Sequence, residues 1–409
     1  MSSEISATLA FFLICISALA QYALAQYSRY QDIVSVKLMA HAIDSKYQCL
    51  KKLSREAGCA PVKHLPNSFC LPFGLDKFIK YRDAEYGHRL PLLCLEDHEL
   101  HGDTYAQFAG GSYIVFTREP LNLRAALSSQ FQDFELGEVR QGIMAPLLGA
   151  GIFTNDGARW DHSRRLLAPM FHQPEIPSLR ILEKYVEIML QQMSPHGSAK
   201  SSLDVQPLLL ELSLGAAAET LFGESTVSLS SNAFVTAFNN ALQYTARRER
   251  LRAFYWLRNN SEFCENCAEV HKVLDAVIED ASQRLSASER TTNEFSALRH
   301  VWNKVQDVTA ARNELLNLLF AARDTISAAI GWVLYSLARE VEVFLKIQAE
   351  IDSVLDSSLS PPTTGELAQM TYLDQVIAET IQLLLSITTH ASTALMYTLS
   401  VQIDGLGQV

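Results

Sequence analysis

The stretch from Leu315 to Leu337 is apolar on nearly every face of a helix, yet it carries Arg323 and Asp324 in its middle. A helix without a polar face belongs in the centre of a large protein rather than on its surface. A membrane span is a poor alternative, because charges at bilayer depth are costly. Buried charge needs a partner or a purpose. The pair Asp324-Thr325 is therefore a candidate site, although an Asp-Thr pair inside a helix is, taken alone, more often a local hydrogen bond.

Around this segment the pattern is mainly helical. Apolar residues at three- and four-residue intervals predict helices over Leu121–Ser129, Trp160–Pro169, Ile176–Met193, Val205–Phe222, Ala233–Leu257, Cys264–Arg284, Thr309–Arg339 and Glu340–Leu355. Strand-like residues cluster at Ser112–Phe116. The expectation is a mainly α protein with a small β-sheet towards the N-terminal side. With 409 residues, 48% of them hydrophobic and 19% charged, the chain can bury a large core. A net charge of -11 argues against a nucleic-acid partner, because phosphate binding needs a basic face.

Residues 5–25 form an apolar segment behind a short tail at 1–4. It is long enough to cross a bilayer, and we read it as a retained transmembrane signal-anchor. A cleaved leader is the alternative, since Ala18-Leu19-Ala20 and Ala23-Leu24-Ala25 look like cleavage sites. Glu4, with no Lys or Arg before the segment, speaks against that. Arg29, Lys37, Lys46, Lys51 and Lys52 follow and place the body on the cytoplasmic side. Residues 26–73 read as a linker whose Pro61, Pro66 and Pro72 deny a regular helix, leading into a domain at 74–409.

The seven cysteines are scattered and odd in number, so a disulfide framework is not expected. Cys264-Glu265-Asn266-Cys267 invites a metal or redox reading, but a helical run without a second ligand pair is a poor zinc site. No metal ligand is assigned.

Two motifs converge on one family. Gly149-Ala150-Gly151-Ile152-Phe153-Thr154-Asn155-Asp156-Gly157 leads into a helix on which Trp160 and Arg164 share a face, with His162 pointing elsewhere. With Leu318-Leu319-Phe320-Ala321-Ala322-Arg323-Asp324-Thr325, this resembles the cytochrome P-450 family, closest to its fungal n-alkane and fatty-acid hydroxylase branch. Phe131-Gln132-Asp133-Phe134-Glu135-Leu136-Gly137, Ala237-Phe238-Asn239 and Phe254-Tyr255-Trp256-Leu257 add to the resemblance, the latter two in a substrate-roof region. It implies the cytochrome P-450 fold and haem as cofactor. Trp160 and Arg164 would donate to a haem propionate, Arg through its planar fork. On residues alone, a Trp–Arg cation–π pair on a surface helix remains the alternative. Asp324 and Thr325 would relay protons towards bound oxygen. The implied activity is monooxygenation of long-chain alkanes or fatty acids, with electrons from NADPH through a flavin-containing reductase. The implied location is the endoplasmic reticulum membrane, single-pass, with a cytoplasmic catalytic body.

The resemblance weakens towards the end of the chain. Ala322 stands where the family usually has Gly, and Ile326 where a second Thr or Ser is common. Glu379 matches the acid of a Glu-x-x-Arg pair, but Gln382 replaces its arginine. In the family that pair belongs to a buried ion network, so Glu379 is expected to be a structural residue with an incomplete network. Ser392 takes a third arginine's place, and Leu385 and Thr388 stand where prolines usually follow. No cysteine follows Cys267, so the haem-ligating portion is expected to be lacking, through a shortened gene model or a decaying gene. The exact chain is then expected to be inactive, to bind haem poorly and to show no thiolate-type reduced–CO absorption. A haem-free, membrane-anchored helical binding protein is the competing function.

Overall fold

The computed structural model describes residues 63–64, 75–87, 89–109, 112–171, 179–193, 203–223, 229, 231–287, 297–355 and 362–384. The chain divides into two compact units, Met1–Lys63 and His64–Val409, and the described elements belong almost wholly to the second. The segment at 5–25, nearly all of the 26–73 linker, and Leu385, Thr388 and Ser392 lie outside the described residues.

Helices α1 (Leu75–Tyr86) and α2 (Leu90–His101) pack against an antiparallel hairpin of β1 (Thr104–Ala109) and β2 (Ser112–Thr117). Tyr105 is fully buried and stacks on Phe116, opposite it in the register, with ring centroids 5.2 Å apart. Tyr81 Oη donates to the buried carboxylate of Asp97 at 2.6 Å, and Lys80 pairs with the other oxygen. The sheet thus lies on the N-terminal side of a helical protein, as the strand pattern at Ser112–Phe116 implied.

Helix α3 (Pro120–Arg124) runs into a π-type turn and is followed by α4 (Gly137–Leu148), α5 (Gly157–Leu167) and α6 (Leu179–Met193). The core is built by α4, α7 (Gln206–Phe222), α8 (Asn232–Leu251), α9 (Ser261–Ala287), α10 (Ala297–Val305) and the first half of α11 (Val308–Arg339). Leu147, Phe238, Leu274, Val301, Leu315 and Leu319 meet there. Asp307 caps α11 by accepting from the Ala310 N–H at 2.7 Å. Then come α12 (Val341–Val354), α13 (Thr364–Leu367) and α14 (Thr371–Leu384). The Glu350 carboxylate on α12 accepts from the Tyr372 and Leu373 N–H groups, fixing the start of α14.

Two expectations are corrected. The apolar helix is buried along only its first half: Leu334 and Tyr335 are 44% and 50% exposed. The reason is where the core ends: among the described residues α11 gives it Ala311, Leu315, Leu316 and Leu319, while beyond them it packs on α7, with Gly331 against Leu209. The helix read over Ala233–Leu257 ends at Leu251, because Arg252 adopts φ 50° and starts a 3-10 turn. Helix α4, which the helical pattern read from the sequence did not include, holds Gly137, Gly142 and Pro146, residues that weaken or interrupt helices.

The survival of α4 has a specific cause. Pro146 has no N–H for the carbonyl of Gly142, four residues earlier. Arg248 of α8, 0% exposed, supplies the donor: its Nη2 reaches Gly142 O at 2.6 Å and its Nε reaches Ile143 O at 3.1 Å. The guanidinium lies between the rings of Tyr255 and Phe263, at 5.1 and 4.7 Å from their centroids. Gly142 must lack a side chain because Tyr255 Oη occupies the position a Cβ would take.

Candidate functional site

The glycine-rich loop before α5 is docked on α11 by side-chain amides. Asn317 is 0% exposed. Its Oδ1 accepts from Phe153 N–H at 3.0 Å, and its Nδ2 donates to Leu148 O at 3.0 Å and Asn313 O at 2.7 Å. Asn313, one turn earlier, fits with its amide turned to donate to Thr309 O and accept from Ala150 N–H. Gly149 and Gly151 sit where any Cβ would collide with Asn313 and Asn317. Gly149 also needs φ 66°. Thr154 closes the turn, its Oγ1 donating to Gly149 O at 2.7 Å and accepting from Gly151 N–H at 2.8 Å. The acid of the motif, Asp156, accepts from Leu136 and Gly137 N–H at the start of α4. The run Phe131–Gly137 is thereby tied to α5, and the Phe131 ring packs at a tilt against Trp160 with centroids 5.0 Å apart.

From this loop α5 emerges with Trp160 half-buried and Arg164 exposed. The Arg164 guanidinium lies 5.5 Å from the Trp160 ring centroid, so the two do share a face as a cation–π pair. Neither side chain has a hydrogen-bond acceptor among the described residues. A carboxylate such as a haem propionate fits these free donors. An adjoining face of α5 is braced: Ser163, buried beside Arg164, donates to Glu314 Oε1 of α11 at 2.5 Å. Burial pushes the Glu314 carboxyl above the usual carboxylate range, partly offset by the Ser163 hydrogen bond and His162. His162 itself is exposed.

At the middle of α11, Arg323 is 6% exposed and donates to Asp324 Oδ1 at 2.8 Å and to Asn239 Oδ1 of α8. Its guanidinium lies 5.8 Å from the Phe238 ring centroid. Burial raises the Asp324 carboxyl above its ordinary range, against the opposing pull of Arg323. Thr325 is exposed and its hydroxyl donates to Ala321 O at 2.6 Å, the local bond that its sequence neighbourhood suggested. No hydrogen bond joins Asp324-Thr325 to Trp160-Arg164 among the described residues; the Ser163–Glu314 brace connects their helices.

Glu379 and Gln382 are both exposed on α14 rather than buried in a network. Cys264 and Cys267 are free thiols on adjacent turns of α9; burial pushes Cys267 up to about 12. Sequence reasoning missed Asn313, Glu314 and Asn317. Their signal was visible: polar residues at i, i+1 and i+4 in an otherwise apolar helix. Arg248 had no such signal, because its partners are distant in the chain, and Asn239 was read only in a substrate-roof resemblance and not as the partner of Arg323.

The structure is a helical body with a small N-terminal-side sheet, a central long helix bearing an Asp-Thr pair, and a Trp-Arg face on the neighbouring α5. The chain belongs to the cytochrome P-450 family, whose model matches residues 81–392. It is 32% identical over 289 residues to cytochrome P-450 52A5 of Candida maltosa, covering 66% of this chain and 54% of that protein. It is 30% identical over 363 residues to cytochrome P-450 52A7 of Candida tropicalis, covering 84% of this chain and 70% of the relative. The chain thus spans about half the length of cytochrome P-450 52A5. The crystal structure of the cytochrome P-450DA haem domain shares the fold, with a TM-score of 0.62 at 17% identity over 79% of this chain and 70% of that one.

Proposed function

We propose that this chain carries the propionate-binding and proton-handling parts of a haem monooxygenase acting on long-chain alkanes or fatty acids. The observation that carries the reading is the Trp160–Arg164 face, whose donors are free while its helix is braced to α11 through Ser163–Glu314. Haem bound to a thiolate supplies the chemistry that activates oxygen. The chain's own residues do the rest. Arg164 and Trp160 hold and orient a propionate. Asp324, whose carboxyl burial raises against the pull of Arg323, is the acid that takes up and releases a proton in this reading, and Thr325, beside it, offers a hydroxyl at the surface of α11 to pass it on. Ala322, where the family usually has Gly, adds a methyl group to the groove on the preceding turn. In this reading residues 5–25 anchor the body to the cytoplasmic face of the endoplasmic reticulum membrane, where lipophilic substrates partition. Electrons come from NADPH through a flavin-containing reductase.

The test is a haem titration of the purified chain read from the Soret band, with Arg164→Ala alongside. Losing a charge-assisted hydrogen bond of ~1.5–3 kcal/mol should weaken haem binding at least roughly tenfold. Equal affinities would remove Arg164 from the site. The exposure of Glu379 and Gln382 favours a second reading, a haem-free membrane-anchored binding protein. Absence of haem uptake even in a form of the protein that carries a thiolate ligand for the iron is the outcome that selects it.

A further inference from the structure

We infer that Arg323, held from α8 by Asn239, is a positioning residue that governs the protonation of Asp324 and couples it to the placement of α8. The inference rests on the proton-handling role proposed above and adds the group that controls it. Arg323 is nine-tenths buried in the middle of an apolar helix, where an unpaired cation is not sustainable. Its two terminal nitrogens are divided between helices: Nη1 goes to Asp324 at 2.8 Å, and Nη2 goes to Asn239. Nε is buried without a partner, so these two contacts and the Phe238 ring hold the head group. Arg323 is the charged group that faces Asp324, whereas α8 contributes neutral Asn239 and Phe238. Asn239 therefore acts on Asp324 only through Arg323. If α8 shifts, the guanidinium loses one of its two anchors, and the carboxylate loses a counter-ion held at fixed distance. Burial then favours the protonated acid.

The test is an infrared titration of the protonated-carboxyl stretch in the purified chain, assigned by its loss in Asp324→Asn. Arg323→Met should move the midpoint upward by roughly one pH unit or more, the scale of a close opposite charge. Asn239→Ala should move it in the same direction by less, and Arg323→Lys should keep most of the wild-type midpoint. A shift in Asn239→Ala also serves if Arg323→Met does not fold. An unchanged midpoint in Asn239→Ala overturns the coupling to α8, and one unchanged in Arg323→Met overturns control by Arg323. The measurement needs no haem, so failure of haem uptake in the thiolate-carrying form would reject the proposed function while leaving this result to stand or fall alone.

Discussion

Arg248 donates its Nη2 hydrogen to the carbonyl of Gly142 at 2.6 Å, the carbonyl that Pro146 leaves without an intrahelical donor. A side chain from α8 thus replaces a backbone N–H missing from α4. Arg248→Met should leave the Gly142 carbonyl unpaired in the interior and the Ile143 carbonyl with only its helical donor, the Leu147 N–H. The unpaired group costs about 1–3 kcal/mol. Urea unfolding should therefore show a loss on that scale. Adding Pro146→Ala restores an N–H to the same carbonyl, so the double variant should recover part of the loss. Simple additivity of the two changes would reject the replacement.

Asn317 makes three hydrogen bonds from a fully buried amide, two of them to the loop that leads into α5. Asn317→Leu should strand the Phe153 N–H and Leu148 C=O, lowering stability by about 2 kcal/mol or more. Hydrogen exchange should speed up over Gly149–Asp156 ahead of the rest of the core. Gly151→Ala should have the same signature, because the added methyl meets the Asn317 amide. Unchanged loop protection in both variants would contradict the docking.

Glu314 gives a pH dependence of defined sign. Its folded pKa is raised above the unfolded value, so the native state holds its proton more tightly. The associated stability is fully present below the unfolded pKa and is lost as pH rises through the folded pKa. Glu314→Gln keeps an acceptor for Ser163 and cannot ionise. The wild type should lose melting temperature relative to this variant on going from acid towards neutral pH. A constant difference between the two curves would exclude Glu314 as the titrating group.

Thr325 separates chemistry from stability. Its hydroxyl makes one local bond to Ala321 O at an exposed position. Thr325→Ala should change unfolding free energy by no more than about 0.5 kcal/mol. In a form of the protein that turns over, the same variant should consume oxygen without matching product and release peroxide. Intact coupling would take Thr325 out of proton delivery.

The sequence by itself did not disclose α1, α2, α4 or α10. It did determine many of the helices between Trp160 and Leu355, one strand of the hairpin, and the local pairs Trp160–Arg164 and Asp324-Thr325. These depend on periodicity and on neighbours within one turn, which spacing alone discloses. The family was legible for the same reason, since its motifs are short and contiguous. Tertiary structure alone decided what holds those pairs in place. Asn317 meets Phe153 across 164 residues, Ser163 meets Glu314 across 151, and Arg248 meets Gly142 across 106. Burial of α11 was misjudged beyond its midpoint for a related reason. Composition says which residues can be covered, whereas coverage depends on which other helices arrive. Glu379 shows this most plainly: an acid matching a family motif stands exposed on α14. Polar groups in a core are satisfied by whatever the fold brings to them, and that information is spread over the whole chain.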